Sequence, residues 1–370
     1  MPRTRSRKPA FDDTRIREDA DNYVNSVLAV LALVNELRWD STERQLRSST
    51  KYEVGRRMTT SASNPISPET QITPDFVVQE SMYGVIGEIT YSLAPDEAGW
   101  LEKLKQLRKY DDDLLGWWTP TEKLPSHDIA CLVQFSRMVI VSDILAKHRK
   151  KKKSDLKFKR NLAIVGFNRS SGATQEYMSL IKNFGELSDK TTSERLRKSV
   201  QVPLERLVIE YKDKKFVDFE PPMAYLLQML WENLFTSYLD EFPYDEGKKY
   251  TPIRITVDRV TDDLQKAYGF SSTGPRSPEV PKKRWIRKAL DHLVVFGFAT
   301  KIDDEYTIKY RRIKRGDPIT RFGKLIYDHR GKLALIDLRQ PTLFDPHPDT
   351  SKQTSSPATP DQKPEKGSLL

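Results

Sequence analysis

Apolar residues first recur at helical spacing at Tyr23, Val27, Leu28, Val30, Leu31, Val34 and Leu37, which predicts a buried helix. The charged segment 1–20 before it predicts no regular structure. A second helix is predicted over 41–58, where Ser41 or Thr42 is placed to cap the start, and the Ser-, Pro- and Asn-rich segment 59–73 reads as a loop. The period then changes. Asp75-Phe-Val-Val and the run from Tyr83 to Tyr91 are short, β-branched and bounded by turn residues, so they predict a two-stranded hairpin. Trp100, Leu101, Leu104, Leu107, Leu114 and Leu115 restore a helical period over 97–117. A buried strand over 127–135, a helix over 138–148 and a strand over 161–167 follow. Helices alternating with strands in this order predict an α/β architecture, a mixed sheet flanked by helices.

The pattern over 168–220 fits no single element, although 204–211 and 215–219 read as short strands or as a strand after a helix. From Pro222 three helices are predicted, over 224–239, 256–268 and 282–296, followed by strands over 299–302 and 305–310 around Asp303-Asp304. Three helices and a terminal hairpin is the order of a winged-helix domain. The last residues, rich in Pro, Ser, Thr, Asp and Lys, predict a disordered tail. The expected organisation is therefore 1–20 basic and disordered, 21–220 an α/β domain, 221–335 winged-helix-like and 336–370 tail.

Charge narrows the partners. The chain carries 62 Lys and Arg against 52 Asp and Glu, a net +10, which favours a phosphate-bearing partner such as DNA. Nine basic residues against one acid crowd 147–160, where Lys151 and Lys152 are candidate DNA contacts. A second basic cluster, Lys282, Lys283, Arg284, Arg287 and Lys288, opens the third C-terminal helix, the end from which winged helices read DNA. The single cysteine, Cys131, lies in an apolar run and reads as core packing, excluding a disulfide framework. No apolar run approaches the ~20 residues of a membrane span, and no signal-type apolar segment follows the basic start, so a cytoplasmic protein is expected.

The chemistry-bearing constellation lies between Pro74 and Tyr110. Asp75 opens one strand of the hairpin and Glu88 lies in the next, thirteen residues later. Two carboxylates on neighbouring strands are able to hold a hard divalent cation of the magnesium type. In the following helix Gln106 and Tyr110 stand four apart and so share one face, where they would orient a backbone phosphate or the metal-bound water.

At these positions the sequence resembles the PD-(D/E)XK nuclease superfamily: Pro74-Asp75, then Glu88-Ile-Thr90 in the E-X-K slot, then Gln106-Leu-Arg-Lys-Tyr110 like the Q-X-X-X-Y signature. The resemblance, over about residues 40–170, implies a restriction-endonuclease-like fold, phosphodiester hydrolysis, and Mg or Mn liganded by Asp75 and Glu88. It also implies a further acid from the helix before the hairpin, Glu43 or Glu53. The chain departs from the pattern at Thr90, which stands where the family has its lysine and supplies no charge. Lys103 or Lys105 is the expected substitute; without one, the core is a non-catalytic scaffold. In the tail, Gln340-Pro-Thr-Leu343-Phe344 resembles the pentapeptide by which bacterial proteins dock on the sliding clamp, with Leu343 and Phe344 entering an apolar pocket. The expected function is a metal-dependent DNA-processing nuclease of bacterial defence, repair or mobile-element biology. The alternative is an inactive DNA-binding or assembly subunit, and a partner subunit completing the site is a further expectation.

Overall fold

A computed structural model describes residues 11–40, 45–47, 49–60, 71–90, 97–119, 121–151, 154, 156–211, 214–242, 249–268, 280–312 and 317–337. Helix α1 (Asp13–Arg38) starts earlier than the apolar period because Asp12 caps it, its side chain accepting from the Arg15 N–H at 3.1 Å. The charged residues 13–20 are thus helical, which corrects the expectation of an unstructured start. The helix expected over 41–58 is also overturned. After β1 (Trp39–Asp40) and β2 (Gln45–Leu46), that stretch contains β3 (Lys51–Val54) and the start of β4 (Met58–Thr60). Tyr52, Glu53 and Val54 are all buried, so both faces of the segment are covered, and strand pairing overrides the helix preference of its charged residues.

Beyond β5 (Gln71–Ile72), β6 (Phe76–Glu80) and β7 (Tyr83–Thr90) form the expected hairpin. Helix α2 (Glu97–Gln106) runs into a 3-10 turn over Leu107–Tyr110, and β8 (Leu114–Leu115) pairs with β4 in a small three-stranded sheet. The main sheet continues through β9 (Ser126–Gln134), β10 (Leu162–Ser171), β11 (Glu176–Gly185) and β12 (Val200–Pro203). Its order is β12-β11-β10-β9-β7-β6-β3. β9 runs parallel to both β7 and β10, and the other pairs are antiparallel. Parallel neighbours need crossovers, which α2 and α3 (Phe135–Arg149) supply.

Side chains alternate between two apolar layers. Val85, Ile89, Ala130, Leu132, Ala163 and Val165 face α1, whereas Ile86, Ile129, Cys131, Val133, Leu162 and Ile164 face α2 and α3. The fold is mixed α/β, a mixed sheet between helices. Where the sequence left 168–220 open, the structure places the β10–β11 hairpin, then α4 (Lys190–Arg197), β12 and α5 (Leu204–Tyr211). Asp189 caps α4, its side chain accepting from the N–H groups of Thr191 and Thr192.

The C-terminal part begins with a continuous helix made of α6 (Met223–Gln228), a π turn over Met229–Leu234 and α7 (Phe235–Ser237). β13 (Thr251–Thr256), α8 (Val257–Tyr268), α9 (Lys283–Val295), β14 (Ala299–Ile302) and β15 (Glu305–Tyr310) follow, with β15 central in the order β13-β15-β14. Strand β13 and the last helix, α10 (Pro318–Asp337), were not expected from the sequence. Asp317 caps α10 through Thr320, and Arg17 of α1 bonds the Thr320 hydroxyl at 2.9 Å. One apolar core runs from Tyr23 of α1 through Phe216 and Tyr225 to Trp231, Leu290 and Phe322. No described helix is long and apolar enough to cross a membrane. Glu43, Lys152 and the peptide Gln340, Leu343 and Phe344 lie outside the described residues.

Candidate functional site

The hairpin β6–β7 sets the site. Phe76 pairs with Gly87, so Asp75 and Glu88 occupy the next step of the ladder, on the face that also carries Val77 and Ile86. Position 87 requires glycine, because a Cβ there would come within 2.3 Å of Phe76 Cζ and 2.5 Å of the Ala130 carbonyl oxygen. Both acids are buried, 8% and 6% exposed, and their carboxyl groups hydrogen-bond each other. Asp75 Oδ2 accepts from the Ile89 N–H at 2.7 Å. Glu88 Oε1 accepts from the Tyr110 hydroxyl and from Lys109 Nζ at 2.9 Å, and Lys103 Nζ stands 4.0 Å from Oε2.

These contacts divide the charge. Burial and the neighbouring Glu88 charge hold the Asp75 carboxyl well above the ordinary carboxylate range. Burial alone would raise Glu88 too, but Lys109, Lys103 and the Tyr110 hydroxyl outweigh it and hold Glu88 below its usual value. Of the two, Asp75 is therefore the carboxyl that holds its proton to higher pH and Glu88 the one that ionises first. Tyr110 is pushed up by burial and by Glu88, which keeps its hydroxyl a donor. Cys131, beside Glu88 on β9, is buried and pushed up to about 12 by desolvation, in keeping with a packing role.

The structure brings Asp75, Glu88 and Tyr110 together but not Gln106 or Lys105. The spacing that should align Gln106 with Tyr110 assumes an α-helix, and the turn over Leu107–Tyr110 is 3-10, with three residues per turn. Tyr110 is buried in the site and Gln106 is exposed. Lys105 instead pairs with Glu102 at 2.8 Å. The ammonium groups that approach Glu88 are those of Lys103, one of the two expected substitutes, and of Lys109, which sequence reasoning missed. Its signal lay inside the motif, directly before Tyr110. Thr90 is buried on the Glu88 face, beside Cys131. Glu53 lies on β3 rather than on a helix, opposite Val77, and is tied to Arg56, which also donates to the Gly116 carbonyl oxygen at 2.6 Å.

Among the described residues no group of three or more His, Cys, Asp or Glu is placed to hold a metal ion. The chemistry of Asp75 and Glu88 nonetheless fits one: two hard oxygen donors converge, and a divalent cation would compete with the proton that Asp75 holds to higher pH than usual. Two protein carboxylates with water and phosphate filling the remaining positions is the usual way magnesium is held.

The basic segments differ in how far they are neutralised. Lys147 pairs with Glu97 at 3.1 Å and Arg160 with Asp113 at 2.6 Å, while the Asp111 carboxylate accepts from the backbone of Lys159 and Arg160. These acids fix both ends of the 147–160 run, and Lys151 is exposed within it. On α9, Lys283 pairs with Asp258 and Lys288 with Glu220, whereas Arg284 and Arg287 are exposed and form no ion pair with a described residue. No family model, no curated protein and no solved structure matches this chain.

Proposed function

We propose that the chain is a metal-dependent nuclease acting on DNA through a site of the PD-(D/E)XK kind. The observation that carries this reading is the buried Asp75–Glu88 pair, two carboxyl groups in contact beside two ammonium groups. Support for a restriction-endonuclease-like core comes from the succession α1, the antiparallel strands β3, β6 and β7, the crossover α2 and the parallel strand β9. Support for a winged-helix reading of the C-terminal part comes from the order helix, strand, helix, helix, strand, strand with β15 in the middle.

Mg or Mn bound by Asp75 and Glu88 would supply positive charge to a phosphodiester and acidify a coordinated water. Asp75 must give up its proton to serve as a ligand, so activity should rise with pH. Tyr110 fixes the Glu88 carboxylate. Lys109, partly exposed and 2.9 Å from Glu88, would supply to a phosphate oxygen the charge that Thr90 lacks. In hydrolysis the water oxygen bonds to phosphorus, the bond to the leaving sugar oxygen breaks, and that oxygen takes up a proton.

The test is incubation of the parent protein and of Asp75→Ala and Glu88→Ala with linear, circular and single-stranded DNA in Mg or Mn. Cleavage by the parent, and a loss of at least about a hundredfold in both variants, is expected. No cleavage under any condition, with DNA binding retained, would instead establish the second reading, a nuclease-fold DNA-binding or assembly subunit. That second reading is favoured by one feature, the Lys109 ammonium already neutralising Glu88. Docking of Gln340, Leu343 and Phe344 on a sliding clamp rests on sequence alone. Loss of clamp pull-down in Leu343→Ala/Phe344→Ala is its test.

A further inference from the structure

The start of α9 lies beside the end of β3, the strand that pairs with β6 next to Asp75. Gly55 closes β3 with a φ of +69°, and its N–H donates to the Asp75 carbonyl oxygen at 3.4 Å. A Cβ at this glycine would lie 2.6 Å from Asp218 Oδ1 and 2.8 Å from Val280 Cγ2, so Val280, just before α9, packs against the residue whose N–H bonds the Asp75 carbonyl. Lys282, at the N-cap of α9, reaches Asp218 at 2.9 Å. The charge of Asp218 is in turn felt at the Tyr110 hydroxyl.

One face of α9 is sunk in the core through Trp285, Ile286, Ala289, Leu290 and Leu293. The opposite face presents Arg284 and Arg287, one turn apart, as guanidinium groups without a described acidic partner. α9 has 13 residues and is thus about 20 Å long, shorter than the roughly 34 Å turn of B-form DNA. A helix with an exposed basic face at its N-terminal end matches the major groove of B-form DNA, which admits a helix, whereas the corresponding groove of an A-form RNA duplex is too deep and narrow.

We propose that Arg284 and Arg287 of α9 and the Asp75–Glu88 pair address one and the same B-form duplex, α9 holding the groove while the backbone of that molecule crosses the acids. This rests on the nuclease reading, and its test is separable from it. The only cysteine, Cys131, is buried, so Lys103→Cys carries a benzophenone photocrosslinker selectively beside Glu88. With a fluorescein-labelled duplex and no divalent metal, the labelled full chain should bind and crosslink. Arg284→Glu/Arg287→Glu should bind about tenfold or more weakly, flatten the salt dependence, and lose the crosslink in proportion.

Undiminished binding by that variant, or duplex binding through α9 with no crosslink from position 103, overturns the proposal. Equal binding of an RNA duplex of the same sequence overturns the choice of occupant. Crosslinking, with no metal-dependent cleavage by the unlabelled parent protein, upholds the shared surface and retires the hydrolase reading instead. Should the charge-reversed variant melt early, Arg284→Gln/Arg287→Gln serves in its place and is held to the same outcomes.

Discussion

Asp75→Asn puts a neutral group of nearly the same shape where the protonated carboxyl stands. The asparagine carbonyl oxygen can keep the 2.7 Å bond from the Ile89 N–H, and its amide can donate to Glu88 as the shared proton does. The unfolded chain releases the Asp75 proton near pH 3.8, but the folded chain holds it to a higher pH. Every step in pH between those two points therefore penalises the folded state, by about 1.4 kcal/mol per pH unit while it carries the extra proton. Glu88 acts in the opposite sense: its lowered pKa contributes stability that is present above 4.5 and lost as pH falls through the folded value. Because Glu88 is ionised in both proteins at higher pH, the difference between parent and variant reports chiefly on Asp75. In urea unfolding from about pH 4 to about pH 9, the two should start close together. The variant should then gain by about 1.4 kcal/mol per pH unit before the difference levels off. A difference that stays flat with pH, or a variant less stable than the parent at alkaline pH, would refute the shared proton.

Three further substitutions probe the neighbours of that pair. Lys109→Met removes the ammonium 2.9 Å from Glu88 and should strengthen Mn binding while slowing cleavage by about a hundredfold; parallel loss of both would mark Lys109 as structural only. Tyr110→Phe deletes the hydroxyl that donates to the ionised Glu88 and should cost about 1.5–3 kcal/mol in urea unfolding, whereas parent-like stability would contradict the buried bond. Gly87→Ala drives a Cβ to 2.3 Å from Phe76 Cζ and 2.5 Å from a backbone oxygen, so about 1–3 kcal/mol should be lost; an unchanged melting temperature would show that β7 shifts freely against β6 and β9.

The parts of the fold that were legible are those whose side chains repeat with the period of their element. The hairpin carrying Asp75 and Glu88, the buried strand β9 and the helix α9 all announced themselves in this way, and the short turn between β6 and β7 made the two acids neighbours. β3 was hidden because Lys51 and Glu53 suit a helix in isolation, and only pairing with β6 buries Glu53 beside Arg56. β13 alternates properly, with Thr251, Ile253 and Ile255 buried and Arg254 exposed, but Pro252 and the immediate run into α8 obscured it. Proline is tolerated there because β13 lies at the edge of its sheet. Lys109 was missed because spacing arguments assumed 3.6 residues per turn through a segment that winds as 3-10. The link from Lys282 through Asp218 to the acid rim joins residues far apart in sequence, and no local pattern encodes it.

The proposed function stands or falls on whether Asp75 and Glu88 take up a divalent cation at the expense of their proton. Calorimetric titration of Mn into the full-length protein, in buffers of different ionisation enthalpy, reads both events together. Saturable binding with proton release is expected in the parent, weaker with Glu88→Gln and without the proton release in Asp75→Asn. Absence of Mn binding in the parent, or binding that is indifferent to both substitutions, would contradict a metal site between these two carboxyl groups.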